Sequence, residues 1–348
     1  MAYIYGNQYG SSVKSYGGNT KAVSTEPEKM TNTAPTLSVV IVSWNTKRLL
    51  AQCLESLEHC RGLLLEIIVV DNASADGTGE MLRERFPQVR LVQNEANLGF
   101  AKANNIGIDL SSGDYVSLIN SDVSVPAGCL EKMITYLKEH NDIGMLGPKM
   151  ILSDGTVGQS CMRFPTVWNW FCSALALDSI FKKSTTIGNF MMTDFTYDTT
   201  QDVDLLTGWF WMVRREALDK VGKLDERFFM YGEDFDWPKR FHQCGWRVVF
   251  YHEAEAFHHC GASSALAPAR FYVEMNKANL QYFKKHHNRL AVVGFWLTIW
   301  LRQVLRIAGY SVVYLFKHSQ RVEASLKLKR SLRCVVWLMS PKSSGEER

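Results

Sequence analysis

Three groups of carboxylates, far apart in the chain, have the setting that nucleotide, cation or proton chemistry needs. Asp71-Asn72 closes a buried run, Asn120-Ser121-Asp122 closes another, and Glu233-Asp234-Phe235-Asp236 follows the aromatic stretch Phe228-Phe229-Met230-Tyr231-Gly232. A carboxylate just beyond a buried strand can accept hydrogen bonds from a nucleobase imide or a ribose hydroxyl, and Asp71 is placed for that. Asn45 stands in the same relation to the first strand. Asp and Asn also favour turns, so residue type alone leaves Asp71-Asn72 open between the two roles. A carboxylate facing a pyrophosphate would hold Mg2+ or Mn2+, cations that prefer oxygen ligands. Asp122 suits that role, with an N-cap for the helix near Pro126 as the alternative. Three carboxylates in four residues repel one another. A helix starting there would favour their ionised forms through its dipole, as a general base requires. Asp234 is the expected base, while Glu233 and Asp236 read as structural or acceptor-contacting. His258-His259-Cys260-Gly261 offers an imidazole that could complete a metal shell or contact phosphate. A His/Cys zinc site is the rival, but it lacks a second ligand pair at suitable spacing.

The segments that must position these groups alternate. Leu37–Ser43 (LSVVIVS), Leu65–Val70 (LEIIVV), Val89–Gln93 and Tyr115–Ile119 read as strands, the first two as continuous apolar runs buried on both faces. Between them lie helical stripes: Leu49, Leu50, Cys53, Leu54 and Leu57; a helix into Met81–Phe86; Gly99–Leu110; and one opening near Pro126. This rhythm predicts an α/β fold with a doubly wound, mostly parallel sheet, whose ligands sit at the carboxyl ends of the strands. From about Gly144 the pattern loosens, and residues 150–200 read as a variable lid or acceptor loop. Order returns at Val203–Val213, a helix at Arg215–Val221, another near Asp234 and a short strand at Arg247–Tyr251.

The whole chain has 348 residues, 46% of them hydrophobic and 21% charged, which excludes wholesale disorder and leaves room for a large core. Its formal charge of +4 hides an asymmetry: from Lys284 to Arg348 there are thirteen basic and three acidic residues. An acidic body with a basic, apolar tail points to a surface-seeking C-terminus and away from nucleic acid. The eight scattered cysteines suggest neither a disulfide framework nor a zinc site, and a reducing, cytoplasmic setting is expected. Residues 1–34, rich in Gly, Ser, Asn, Tyr and Thr, read as a disordered leader, followed by a catalytic region at 35–285.

Residues 286–348 read as a basic, amphipathic, membrane-associating segment. Leu290–Leu301 carries no charge, but Arg302 and Arg306 would be costly near the middle of a spanning helix. An in-plane helix with Trp296 and Trp300 at headgroup level is therefore expected, followed by the polybasic stretch Lys317, Arg321, Lys327, Lys329, Arg330 and Arg333. A helical hairpin docked on the protein's own core is the alternative.

Order and spacing say more than any single motif. SVVIVSWN (Ser38–Asn45), IIVVDNASADGT (Ile67–Thr78), NLGFAKANNIGI (Asn97–Ile108), DYVSLINSD (Asp114–Asp122), LTGWFWMVRREAL (Leu206–Leu218), DERFFMYGEDFDWPKR (Asp225–Arg240) and HHCGASS (His258–Ser264) form an ordered set. Together they resemble the family 2 inverting glycosyltransferases of the GT-A fold, especially the rhamnosyltransferase-like branch. The resemblance implies that Asp71 contacts the nucleotide base, with Asn97, Gly99 and Asn105 lining the nucleotide-sugar cleft. It implies that Asp122 is the last position of a DXD-like metal motif, that Asp234 is the base of the ED motif, and that His258 contacts metal or diphosphate. Asn120 replaces the first Asp of the DXD pattern, leaving one carboxylate for a divalent Mg or Mn ion. Gly208 and Trp209 belong to the same set. Trp209, Phe210, Trp211, Phe229 and Tyr231 could stack on sugar faces of the acceptor, with plain core packing as the alternative for each. The implied donor is a dTDP-, UDP- or GDP-sugar, and the implied acceptor a lipid-linked or polymeric glycan at the cytoplasmic membrane face. A degenerate scaffold of the same fold is the competing expectation. A dinucleotide oxidoreductase is disfavoured, because SWNTKRLL follows the first strand where a G-x-G-x-x-G turn would stand.

Overall fold

A computed structural model describes residues 36–60, 63, 65–181, 184, 186–187, 189–192, 195–259 and 268–340. The leader at 1–34 and the end of the HHCGASS motif lie outside them. The first half of the chain forms β1 (Leu37–Ser43), α1 (Lys47–Leu57), β2 (Leu65–Asp71), α2 (Thr78–Arg85), β3 (Arg90–Gln93), α3 (Phe100–Leu110), β4 (Tyr115–Asn120), β5 (Val123–Ser124) and α4 (Cys129–Glu139). Next come β6 (Ile143–Leu152), β7 (Cys161–Met162), α5 (Val167–Ala174), α6 (Leu177–Ile180), β8 (Gln201–Asp202), β9 (Leu205–Leu206), β10 (Phe210–Arg214) and α7 (Arg215–Val221). The chain then runs through α8 (Glu233–Gln243), β11 (Arg247–His258), α9 (Pro268–His286), α10 (Arg289–Phe316) and α11 (Arg321–Leu338).

Nine strands form one sheet in the order β3-β2-β1-β4-β10-β6-β11-β5, with β8 paired to β11. The first four are parallel, and β10 runs antiparallel between β4 and β6. Alternation along β1 sorts side chains between two cores. Val39 and Ile41 pack with α1, α2 and α4, whereas Val40 packs with α3, α7 and α8. This is the doubly wound α/β fold read from the sequence.

Three features differ from the sequence reading. β6 occupies a stretch where Gly144, Gly147 and Pro148 mask the strand pattern. β11 spans twelve residues because a register shift between Tyr251 and Glu255 carries it on to His258. Within 150–200, α5 is a built helix, closed by a capping box between Thr166 and Asn169, with Trp170 buried edge-on against Phe295.

α10 and α11 form a hairpin that shares a core with α5, α8 and α9, where Phe295 stacks on Phe283 at 4.1 Å. Trp296 and Trp300 pack partly buried against this core instead of facing outward, in an edge contact with each other. The outward stripe of α10 is Leu290, Val293, Leu297, Val304, Val312 and Leu315, each at least half exposed and none charged.

Candidate active site

Register brings the strand-end residues to one edge. Asp71 lies opposite Ser43, Asn120 lies opposite Val42, and Asn45 follows two residues after β1. A hydroxyl chain crosses the same edge: Ser43 Oγ meets Thr46 Oγ1 at 3.0 Å, which meets Ser121 Oγ at 2.8 Å. Asp71 is 1% exposed and accepts from the Ser74 amide at 3.3 Å and Gln93 Nε2 at 3.5 Å, long contacts that leave its oxygens weakly held. Asn45 takes φ 53°, its amide donating to Ser74 Oγ while its Oδ1 accepts from the Ala75 amide. It therefore ties the β1 exit to the β2 exit.

Asn72 is fully engaged. Its Nδ2 donates to the Gly99 carbonyl, and its Oδ1 accepts from Asn94 Nδ2 at 2.9 Å. Asn97 Oδ1 accepts from the Gly99 amide at 3.0 Å. Asn105 is buried and brackets the chain before α8, accepting from the Leu224 amide and donating to the Leu224 carbonyl and Glu226 Oε1. Gly99, at φ 85°, lets the Phe100 amide reach the Phe229 carbonyl at 2.7 Å; a Cβ at Gly99 would lie 2.5 Å from that carbonyl oxygen. These asparagines shape the cleft by holding the 224–232 segment against the N-terminus of α3.

That segment delivers Glu233 and Asp234 into the first turn of α8. Glu233 Oε2 and Asp234 Oδ1 are both buried without a hydrogen-bond partner among the described residues. Burial pushes the Glu233 carboxyl up to about 7. Burial, with the Glu233 charge beside it, raises Asp234 well above the usual carboxylate range. The sequence argument expected the helix dipole to hold this pair ionised; backbone donors do pull downward, but desolvation outweighs them. Asp236 has the opposite fate. It is fully buried, yet Arg240, Lys285 and His286 hold it below its ordinary value against the desolvation cost. It anchors α9 to α8, and its charge adds to the rise at Glu233.

Gly208 connects this pair to the metal-type residues. A methyl group there would lie 3.8 Å from the Asp234 Cβ and 3.1 Å from the Trp211 ring. Next in the chain, Trp209 stacks on His258 at 5.4 Å, and its carbonyl accepts from the Asn120 amide. His258 Nε2 donates to Asp122 Oδ1 at 3.1 Å, both residues being buried. Burial would raise the Asp122 carboxyl, but the facing His258 imidazole holds it lower. The site thus runs without a break from Asp234 through Gly208 and Trp209 to His258, Asp122 and Asn120. A carboxylate oxygen and an imidazole nitrogen fit a divalent cation that takes its remaining ligands from diphosphate and water. No cluster of three or more His, Cys, Asp or Glu occurs among the described residues.

Sequence reasoning pointed to Tyr231 but missed two other members of the aromatic wall of the cleft, Trp44 and Phe271. Phe271 of α9 meets Trp44 edge-on at 6.3 Å and Tyr231 at 6.2 Å. Tyr231 holds φ 80°, a costly conformation for a bulky side chain, just before the acidic pair. A separate open groove of about 690 Å³ lies along α1, lined by Lys47, Arg48, Glu55, Asp76 and Arg85, and touches the site only through Asn45 and Thr46.

A mannosyltransferase from Pyrobaculum calidifontis, solved in complex with GDP-Man and Mn2+, superposes with a TM-score of 0.52 at 16% identity, covering 89% of each chain. The model for Glycosyl transferase family 2 matches residues 38–222. The N-acetylglucosaminyl-diphospho-decaprenol L-rhamnosyltransferase of Mycobacterium tuberculosis is 28% identical over 275 residues, covering 75% of this chain and 86% of the relative. Glycosyltransferase AglE of Haloferax volcanii is 24% identical, covering 81% and 89%. The sheet has the GT-A architecture, and the family match makes the chain a glycosyltransferase. The family match covers more than half of the chain, which belongs to glycosyl transferase family 2.

Proposed function

We propose that the chain moves a sugar, rhamnose or another hexose, from a nucleoside-diphosphate sugar to a hydroxyl of a lipid-linked or polysaccharide acceptor. The transfer inverts the anomeric centre at the cytoplasmic face of the cell membrane. One observation carries this reading: Asp234 Oδ1 is a buried acceptor without a partner among the described residues, beside Gly208 and continuous with the Asp122–His258 pair.

In this reading Asp71 receives the base or ribose of a dTDP-, UDP- or GDP-sugar. Asp234 takes the proton from the acceptor hydroxyl as that oxygen attacks the anomeric carbon, and the bond to the nucleoside diphosphate breaks on the opposite face. Tyr231 offers a ring to sugars, whereas Trp209, expected to do so from the sequence, is buried in the core and stacked on His258. Asp122 and His258 would hold Mg2+ or Mn2+, which when bound would offset negative charge on the departing diphosphate. The Mn2+ in the Pyrobaculum complex and the diphospho-decaprenol of the mycobacterial relative's name support the cofactor and acceptor classes. The uncharged outer stripe of α10 and the basic residues after it support attachment to a membrane surface through 286–348, with 35–285 as the catalytic region.

Release of nucleoside diphosphate from a panel of nucleotide sugars tests the reading. The wild type should turn over at least one donor, and Asp234→Asn should lose about 10²–10⁴-fold in rate. Equal turnover in the variant would refute the base, and no turnover with any donor would favour a scaffold.

A further inference from the structure

The interface between α5, α9 and α10 holds positive charge that the protein does not neutralise. Arg302 is buried, 9% exposed, with its guanidinium carbon 5.5 Å from the ring of the buried Trp170. Arg306, one turn on, donates to the Tyr272 hydroxyl at 2.9 Å; that hydroxyl also meets the fully buried Gln303 amide. Among the described residues neither arginine has a carboxylate within ion-pair distance. The field of Asp178 reaches Arg302, but only from beyond that distance. The same core contains two buried indole N–H groups, of Trp170 and Trp300, with no acceptor among the described residues. Donors and positive charge therefore exceed acceptors. An unpaired buried cation is costly, and a guanidinium pair is suited to phosphate oxygens.

The surroundings narrow the ligand. Leu297, Val304 and Leu305 of α10, which holds Arg302, and Ile180 and Phe181 at the end of α6, which packs on the α5 helix of Trp170, are exposed apolar residues. On α9, Tyr272 directly follows Phe271, which forms the aromatic wall of the cleft. We propose that Arg302 and Arg306 bind the diphosphate of an amphiphilic, lipid-linked acceptor, with its hydrocarbon along the exposed face of α10 and its sugar directed toward Asp234. This rests on the acceptor reading above. The two arginines are then positioning residues for the acceptor, separate from the donor machinery at Asp71, Asp122 and His258.

Calorimetric titration of the full chain with farnesyl diphosphate, inorganic diphosphate and farnesol tests the site, alongside cosedimentation with phosphatidylglycerol vesicles. Farnesyl diphosphate should bind more tightly than either fragment, with an affinity that falls as salt rises. The double variant Arg302→Gln, Arg306→Gln should weaken it at least ten-fold, and Arg302→Lys should recover part of that loss. The thermal shift induced by nucleoside diphosphate should stay as in the wild type, which also reports that the variant is folded. If the double variant does not fold, the wild type alone decides: excess inorganic diphosphate should displace farnesyl diphosphate and farnesol should not. Unchanged farnesyl diphosphate affinity in a folded variant overturns the site. So does inorganic diphosphate binding as tightly as the prenyl ester. A ten-fold loss confined to vesicles would overturn it by giving the arginines to bilayer headgroups. A wild type that turns over a donor but ignores farnesyl diphosphate sinks this site alone. Absence of donor turnover would sink the transferase reading and leave the binding result standing.

Discussion

Glu233 and Asp234 share the first turn of α8, each with an oxygen that no donor reaches among the described residues; burial raises the proton affinity of both, and the Glu233 charge adds to it at Asp234. The pair titrates as a unit. Proton abstraction needs Asp234 ionised, so the rate should climb with pH along a limb above the ordinary carboxylate range. Glu233→Gln removes the neighbouring charge, and a pH–rate profile should show that limb moved to lower pH. Stability should run the other way. The folded Glu233 holds its proton up to about 7, against 4.5 for the free group. Its contribution is therefore fully present below the lower value and is lost as pH rises through the upper one. Chemical denaturation at stepped pH should show that slope flattened in Glu233→Gln. Composition told which residues had the right chemistry, but not this coupling. The direction of the shift depends on how much water the turn excludes, which residue spacing does not encode.

Elements decide which of those groups meet. Gly99 is the narrowest point, because its positive φ and missing Cβ let the Phe229 carbonyl cap α3 and draw the 224–232 segment over the cleft. Gly99→Ala should cost about 1–3 kcal/mol in denaturant unfolding, from strain and the lost approach, and should lower donor turnover as well. Asp236→Ala leaves Arg240, Lys285 and His286 facing one another and should destabilise by about 3 kcal/mol near neutral pH. That difference should shrink as pH falls below the ordinary Asp value, where the wild-type carboxylate also takes up its proton. β1, β2, α3 and β4 were readable because each is a local apolar pattern that ends at a polar residue. β6 and the far half of β11 were not, since Gly144, Pro148 and a register shift break their periodicity. The antiparallel entry of β10 was equally hidden, because strand direction depends on where a long connection returns.

Across the whole molecule, the C-terminal hairpin belongs both to the core and to the surface. Removing everything after Arg289 would uncover Phe283 and Trp170, so a change in sedimentation of that truncation would mix misfolding with release from lipid. Charge placed on the outward stripe separates the two. Leu297→Asp with Val304→Asp should leave the melting temperature near that of the wild type and reduce vesicle cosedimentation by about ten-fold or more, given the apolar burial lost. The sequence showed that this tail is apolar and basic. It did not show which tryptophans turn inward, because a 28-residue helix with apolar groups all round has no preferred face until its neighbours choose one.

The central claim is that carboxylates remote in sequence surround one donor diphosphate, and a crystal structure grown with Mn2+ and a nucleoside diphosphate tests it most directly. Diphosphate oxygens should lie beside Asp122 and His258, the base against Asp71, and Asp234 should face the side where the sugar would stand. A nucleotide seated instead in the groove along α1, on Lys47, Arg48 and Arg85, would contradict it.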